Sequence, residues 1–207
     1  MVKNRPKDSE RELLMAYLYR KNSTRIPEKY QDSLKGYVNN NLLSQVKSLE
    51  KSETLDIVTL IQNYKIPENE KEALLVIYNN AKGKVIYHDF WFTNCAPCIR
   101  ELPNYNDLIA TTNEQDIEFI FYGAYMKNEE WKKTIDKFKL KGKHHLLTKN
   151  QLAFFEKYFG VHGFPHHRII NSNGMIGEEV NFGVYPNNFK EINKLIDKNR
   201  VANNNGA

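Results

Sequence analysis

The sequence predicts an α/β sandwich with both parallel and antiparallel strand pairing, preceded by a small helical segment. Two observations carry this expectation. Residues 1–80 show helical periodicity with little strand signal, whereas from Lys82 onward short β-branched and aromatic runs alternate with amphipathic helices in the order β-α-β-α-α-β-β-α. The 207 residues, 41% of them hydrophobic and 12% aromatic, suffice to bury a real core. The expected division is a helical segment over 1–80, an α/β domain over 81–200 and a disordered Asn-rich tail over 201–207.

In the first part, Tyr30, Leu34, Tyr37, Val38, Leu42, Val46 and Leu49 recur at three- and four-residue steps and form one helical stripe, and Asp8 and Ser9 are candidate caps. A short helix over 54–64 ends at Ile66-Pro67, and Pro67-Glu68-Asn69-Glu70 opens another through Leu74, Leu75 and Ile77. This region concentrates no titratable groups suited to catalysis and reads as a packing or docking appendage.

In the second part, Val85 to Phe90 reads as a strand. A periodic helix through Ile99, Leu102, Leu108 and Ile109 follows, then a strand over 117–122 and a helix from Asn128 through Trp131, Ile135 and Phe138. Another helix covers about 150–158. Arg168-Ile169-Ile170 and residues 175–180 flank Asn171-Ser172-Asn173-Gly174, a hairpin signal because Asn and Gly tolerate positive φ. A final helix covers about 186–199.

Thirty Lys and Arg against twenty-five Asp and Glu leave +5, spread evenly along the chain. Phosphate backbones call for basic residues gathered on one face, so nucleic acid is not an expected partner. No stretch approaches the roughly 18 consecutive apolar residues of a membrane span, and the start lacks the apolar core of a secretory signal.

The cysteine arithmetic is the sharpest signal. The chain has two, both within Cys95-Ala96-Pro97-Cys98, between a strand and a helix. That position puts the first sulfur at a helix N-terminus, where unpaired N–H groups and the macrodipole favour a thiolate. Cys95 is the expected nucleophile and Cys98, one turn on, the buried resolving thiol that closes a disulfide. A zinc ribbon needs a second cysteine pair, which is absent.

Residues 82–103, Lys-Gly-Lys-Val-Ile-Tyr-His-Asp-Phe-Trp-Phe-Thr-Asn-Cys-Ala-Pro-Cys-Ile-Arg-Glu-Leu-Pro, resemble the thioredoxin fold, specifically the TlpA-type thiol-disulfide oxidoreductases. The likeness covers about 82–199. It implies a three-layer sandwich with a mixed sheet, a helix kinked at Pro103, and a cis-proline at Pro165 within Gly160-Val161-His162-Gly163-Phe164-Pro165. That proline faces the dithiol and leaves the backbone before it free to pair with a substrate strand. The resemblance further implies that Asp89, six residues before Cys95, is a buried proton acceptor for Cys98. Phe164, Pro165, Asn94 and Pro97 are the expected substrate contacts. It implies no cofactor, no resident metal, a protein disulfide as substrate, an upstream thiol as electron donor, and residence in the periplasm or cell envelope with a possible tether outside this chain. Because both cysteines belong to the redox motif, cytoplasmic residence is chemically compatible as well.

Two departures stand out. Asn94 occupies a position where many relatives carry tryptophan, and it is a candidate helix cap. His166 follows the cis-proline, where a protonated imidazole near Cys95 would favour the thiolate, against the alternative of a solvated loop histidine. A rival reading makes Cys95, Cys98 and His166 a soft donor set for copper or another metal. A third makes the domain a passive scaffold for helical docking.

Overall fold

The computed structural model describes residues 56–113 and 115–200. The helical stripe of residues 30–49, the caps at Asp8 and Ser9 and the tail over 201–207 lie outside the described residues. Helix α1 (Ile57–Asn63) begins where the Asp56 carboxylate accepts from the Thr59 amide at 3.0 Å. Helix α2 (Glu68–Asn80) starts directly after Pro67, with Glu68 and Glu70 in its first turn. Strand β1 (Val85–Trp91) follows, and its seven residues are all buried. The next segment is broken as expected. Helix α3 (Ala96–Glu101) passes into a 3-10 turn over Leu102–Asn104 and then into α4 (Tyr105–Ala110). Pro103 has no amide hydrogen to donate back, so the helical ladder is interrupted there.

Beyond it lie β2 (Ile117–Gly123), α5 (Asn128–Phe138), β3 (Lys143–Leu146), α6 (Lys149–Phe159), β4 (His166–Ile170), β5 (Ile176–Glu179), a 3-10 turn at Pro186–Asn188 and α7 (Phe189–Lys198). The sheet order is β3-β2-β1-β4-β5, with β1, β2 and β3 mutually parallel and β4 and β5 antiparallel. The predicted hairpin forms at residues 171–175: Gly174 adopts φ +81°, and Asn171 Oδ1 accepts from the amides of Asn173 and Met175.

Strand β3 is an addition to the expected order. Lys143-His144-His145-Leu146 has no apolar alternation and is half-buried, and it is a strand because β2 presents it with a free parallel edge. Strand β4 starts two residues earlier than expected, so His166 and His167 are sheet residues and not loop residues. No strand precedes β1 among the described residues beyond the single bridge Asp56 to Met175.

Two cores flank the sheet, making three layers. On one side Ile57, Leu60, Ile61, Leu74 and Tyr78 of α1 and α2 pack with Phe154, Phe155 and Phe159 of α6 against Ile86 and Phe90. On the other, Cys95, Cys98, Leu102, Tyr105 and Leu108 pack with Ile192 and Ile196 of α7 against Tyr87 and Trp91. The fold is the expected thioredoxin-like one. Helices α1 and α2, read from sequence as part of the appendage, share the first core with the sheet.

The first core contains one buried polar chain. Tyr122 donates its hydroxyl to Tyr78 (3.0 Å), whose hydroxyl meets His88 Nε2 at 3.1 Å. Burial pushes the His88 imidazole down to about 3, so it is neutral at pH 7 and accepts from Tyr78. The unfolded chain takes up that proton near 6.5 and the folded chain near 3, so stability falls as pH drops through this interval. The contribution is about 1.4 kcal/mol per pH unit. His88→Gln is expected to flatten this acid limb by about one proton's worth of slope in urea titrations between pH 7 and 4.

Candidate active site

Cys95 lies four residues beyond the end of β1 and caps α3: its Sγ accepts from the Cys98 amide at 3.2 Å. The cap is thus Cys95 itself. Asn94, expected as a candidate cap, is exposed and lies one residue outside. Pro97 sits in the first helical turn, where a missing amide hydrogen costs nothing. Cys95 and Cys98 form a disulfide with Cα atoms 5.2 Å apart. Both sulfurs are buried among apolar neighbours, while Asn94, Ala96 and Pro97 face solvent around them.

The peptide between Phe164 and Pro165 is cis, as the resemblance implies. Phe164 packs edge-on against Phe92 at 5.3 Å, and Tyr125 packs on its other side at 5.9 Å. Tyr125 is 68% exposed and holds φ 55°, a left-handed conformation that strains any residue with a Cβ. Phe92, Phe164 and Tyr125 thus form an aromatic row, of which Phe92 and Phe164 pack against the core cluster that contains the cysteines, although position 94 has no ring.

The layer that holds the cysteines also contains a cluster of ionisable groups. Strands β1 and β4 pair antiparallel with Asp89 opposite His167 and Phe90 opposite His166. Paired residues project to the same face, so these two histidines go to opposite layers. His166 enters the first core, where its ring meets Phe90 and its Nε2 lies 3.1 Å from the Phe159 carbonyl. Burial holds its pKa below the ordinary histidine value. The expectation that His166 either flanks Cys95 as a cation or stands in solvent is corrected on both counts. The metal reading falls with it, because Cys95 and Cys98 belong to the other layer and the three donors do not converge. The described residues hold no group of three or more His, Cys, Asp or Glu side chains arranged for a metal ion.

His167 is the histidine on the dithiol side, and sequence reasoning passed over it. Its Nε2 lies 3.3 Å from Asp89 Oδ1 and 3.1 Å from Glu101 Oε2, at ion-pair distance from both without the straight alignment of an ideal hydrogen bond. Each of the three residues is at most 4% exposed. Burial raises the Asp89 carboxyl above its usual range, with His167 pulling against that and the Glu101 charge reinforcing it. Burial alone would depress His167, but the two carboxylates outweigh it and lift the imidazole to about 9. Glu101, at the end of α3, was also missed. Its available signal was its place one turn beyond Cys98, which points it to the same side of the helix.

A cleft of about 280 Å3 reaches this cluster from solvent, lined by Glu101, Pro165, His167, Val180 and Gly183. The arrangement joins a closed dithiol, a cis-proline loop and a buried set of proton-holding groups within one layer, which is what thiol-disulfide exchange requires.

Comparison with known proteins agrees with this geometry. A family model described as thioredoxin-like matches residues 83–176. The thiol-disulfide oxidoreductase ResA of Halalkalibacterium halodurans is 25% identical over 134 residues, which cover 65% of this chain and 73% of that protein. ResA of Bacillus anthracis is 28% identical over 109 residues, covering 53% and 61% respectively. The thioredoxin domain of a thiol-disulfide oxidoreductase from Bacteroides vulgatus superposes with a TM-score of 0.51 at 24% identity, over 57% of this chain and 83% of that one, and shows the shared fold.

Gly183 seals the inner wall of the cleft. A Cβ there would stand 2.5 Å from Glu101 Oε1 and 2.6 Å from the Tyr185 ring. Because the Glu101 carboxylate is held at His167, it has little room to retreat. Gly183→Ala is expected to cost about 1–3 kcal/mol, measured as a loss of stability in denaturant titration.

Proposed function

We propose that this chain, which has the thioredoxin-like fold and is similar to thiol-disulfide oxidoreductases of the TlpA type, reduces protein disulfides in the cell envelope. The observation that carries this reading is the Cys95–Cys98 pair capping α3 beside a cis Phe164–Pro165 bond, with a buried carboxylate in the same layer. In the reduced protein, the Cys95 thiolate attacks one sulfur of a substrate disulfide. The substrate bond breaks, its other sulfur leaves as a thiolate, and a mixed disulfide links Cys95 to the substrate. Cys98 then gives its proton to Asp89 and attacks the Cys95 sulfur. The Cys95–Cys98 bond forms and the remaining substrate sulfur departs, so the substrate gains two electrons and the protein loses two. An upstream dithiol returns them.

Phe164 and Pro165 are the backbone ledge on which an extended substrate segment lies, while exposed Asn94 and Pro97 meet it around the dithiol. The envelope assignment rests on resemblance to the TlpA type, with any tether outside the sequence described. No helix among the described residues is long and apolar enough to cross a membrane.

The decisive experiment is insulin reduction with dithiothreitol as donor. Cys95→Ser is expected to abolish turnover, and Cys98→Ser to accumulate the mixed disulfide. Turnover that survives Cys95→Ser refutes the reading. Asp89→Asn is expected to slow release of the mixed disulfide about ten-fold or more at pH 7. Pro97 resembles the reducing members, so the dithiol potential is expected toward the reducing end. A value near about −120 mV, that of a strong oxidant, would overturn the direction.

A further inference from the structure

We propose that His167 is a positioning residue for proton transfer: clamped between Asp89 and Glu101 behind Pro165, it holds both carboxylates in place so that Asp89 is free to take the Cys98 proton. This inference rests on the reading of Asp89 as that acceptor and adds the group that keeps it available.

The argument begins with two acids sharing one nitrogen. Asp89 Oδ1 and Glu101 Oε2 both lie within 3.3 Å of His167 Nε2, and all three side chains are shut away from water. Two carboxylates that close and that deeply buried cannot both ionise unless a cation separates them. Without one, burial and the Glu101 charge favour a proton on Asp89, which would occupy the acceptor before Cys98 needs it. An imidazolium between them pulls the other way and leaves Asp89 unprotonated.

The surroundings support a charged His167. Facing it are Asp89 and Tyr87 from β1, with the Tyr87 ring 5.9 Å away, and Glu101 from α3. Tyr105 of α4 borders the same cluster, and burial keeps both tyrosines neutral well above their ordinary range. On its own strand His166, whose pKa burial holds below the ordinary value, and Arg168 project to the opposite layer, where Glu179 of β5 lies 3.8 and 3.7 Å from them. The two carboxylates in contact dominate, which is why His167 stays protonated to about 9 despite burial. The cleft of about 280 Å3 brings solvent to the Glu101 and His167 edge, so a proton taken by Asp89 has an exit once substrate has left.

The sign of the expected effect follows. In His167→Gln the cation is lost, burial and the Glu101 charge favour a proton on Asp89, and Cys98 is left without an acceptor until higher pH frees it. The resolving step, followed as release of a reduced peptide from a preformed Cys95 mixed disulfide, is expected to slow about ten-fold at pH 7. Its pH midpoint moves to alkaline values, and the double variant with Asp89→Asn is no slower than Asp89→Asn alone. A folded His167→Gln whose pH profile overlays the unaltered protein overturns the proposal. Ring 15N shifts of the unaltered protein between pH 5.5 and 9.5 test it without any variant. Retention of the His167 imidazolium above pH 8 is expected, and titration near 6.5, the ordinary histidine value, refutes it. If the unaltered protein reduces no insulin, the proposed function fails, whereas the 15N titration still decides the state of His167.

Discussion

A strand buried on both faces must send successive side chains into opposite layers, and β1 imposes that alternation on everything around it. His88 and Phe90 enter the layer built by α1, α2 and α6, while Tyr87, Asp89 and Trp91 enter the layer that holds the cysteines. Antiparallel pairing then carries the same alternation to β4. His167 opposite Asp89 joins the redox layer and His166 opposite Phe90 is taken out of it. A slip of β4 by one residue would exchange the two histidines and take the imidazole away from the carboxylate. The chemistry of the site is thus set by the register of one strand pair.

Placing three ionisable groups in that layer is costly in isolation, because each charge loses its hydration. The arrangement is tolerable because the charges meet one another. The histidine lies between the two acids at 3.3 and 3.1 Å, so no charge of the cluster is left without an opposite one. The folded protein holds the His167 proton more tightly than the unfolded chain does. Its stabilising contribution is therefore complete below about 6.5 and is lost as pH rises through about 9. The histidine in the other core behaves oppositely. His88 resists protonation and weakens the fold as pH falls below 6.5. Two buried histidines on neighbouring strands so bound the stable pH range from opposite ends, one because it has carboxylate partners and one because it has only a phenol.

The rim of the site is built from more distant parts of the chain. Phe92 follows β1, Tyr125 follows β2 and Phe164 precedes β4; Phe92 and Tyr125 both pack on Phe164, and Phe92 and Phe164 pack against the core cluster that contains the cysteines. They supply the aromatic surface that position 94 lacks. The strained backbone at Tyr125 keeps its ring on Phe164 and its hydroxyl on Glu156. The surface that meets a substrate is therefore distributed over three loops, whereas the reacting sulfurs belong to one helical turn.

The local chemistry was legible in the residues themselves. Two cysteines three apart at a strand-to-helix junction and the Asn-Gly hairpin are specified by neighbours a few residues away, and local rules read them, whereas the break at Pro103 and the cis Phe164–Pro165 bond followed from the family resemblance. What required the folded molecule was anything fixed by pairing across the sheet. Strand β3 exists because β2 offers it an edge, and α1 and α2 are part of the core because the first face of the sheet needs covering. Of two adjacent histidines, only strand register decides which one meets Asp89. The residues of the Asp89, His167 and Glu101 cluster are separated by 12 and 66 positions, so no local pattern announces it. Their contact comes from long-range packing, which periodicity and spacing do not encode.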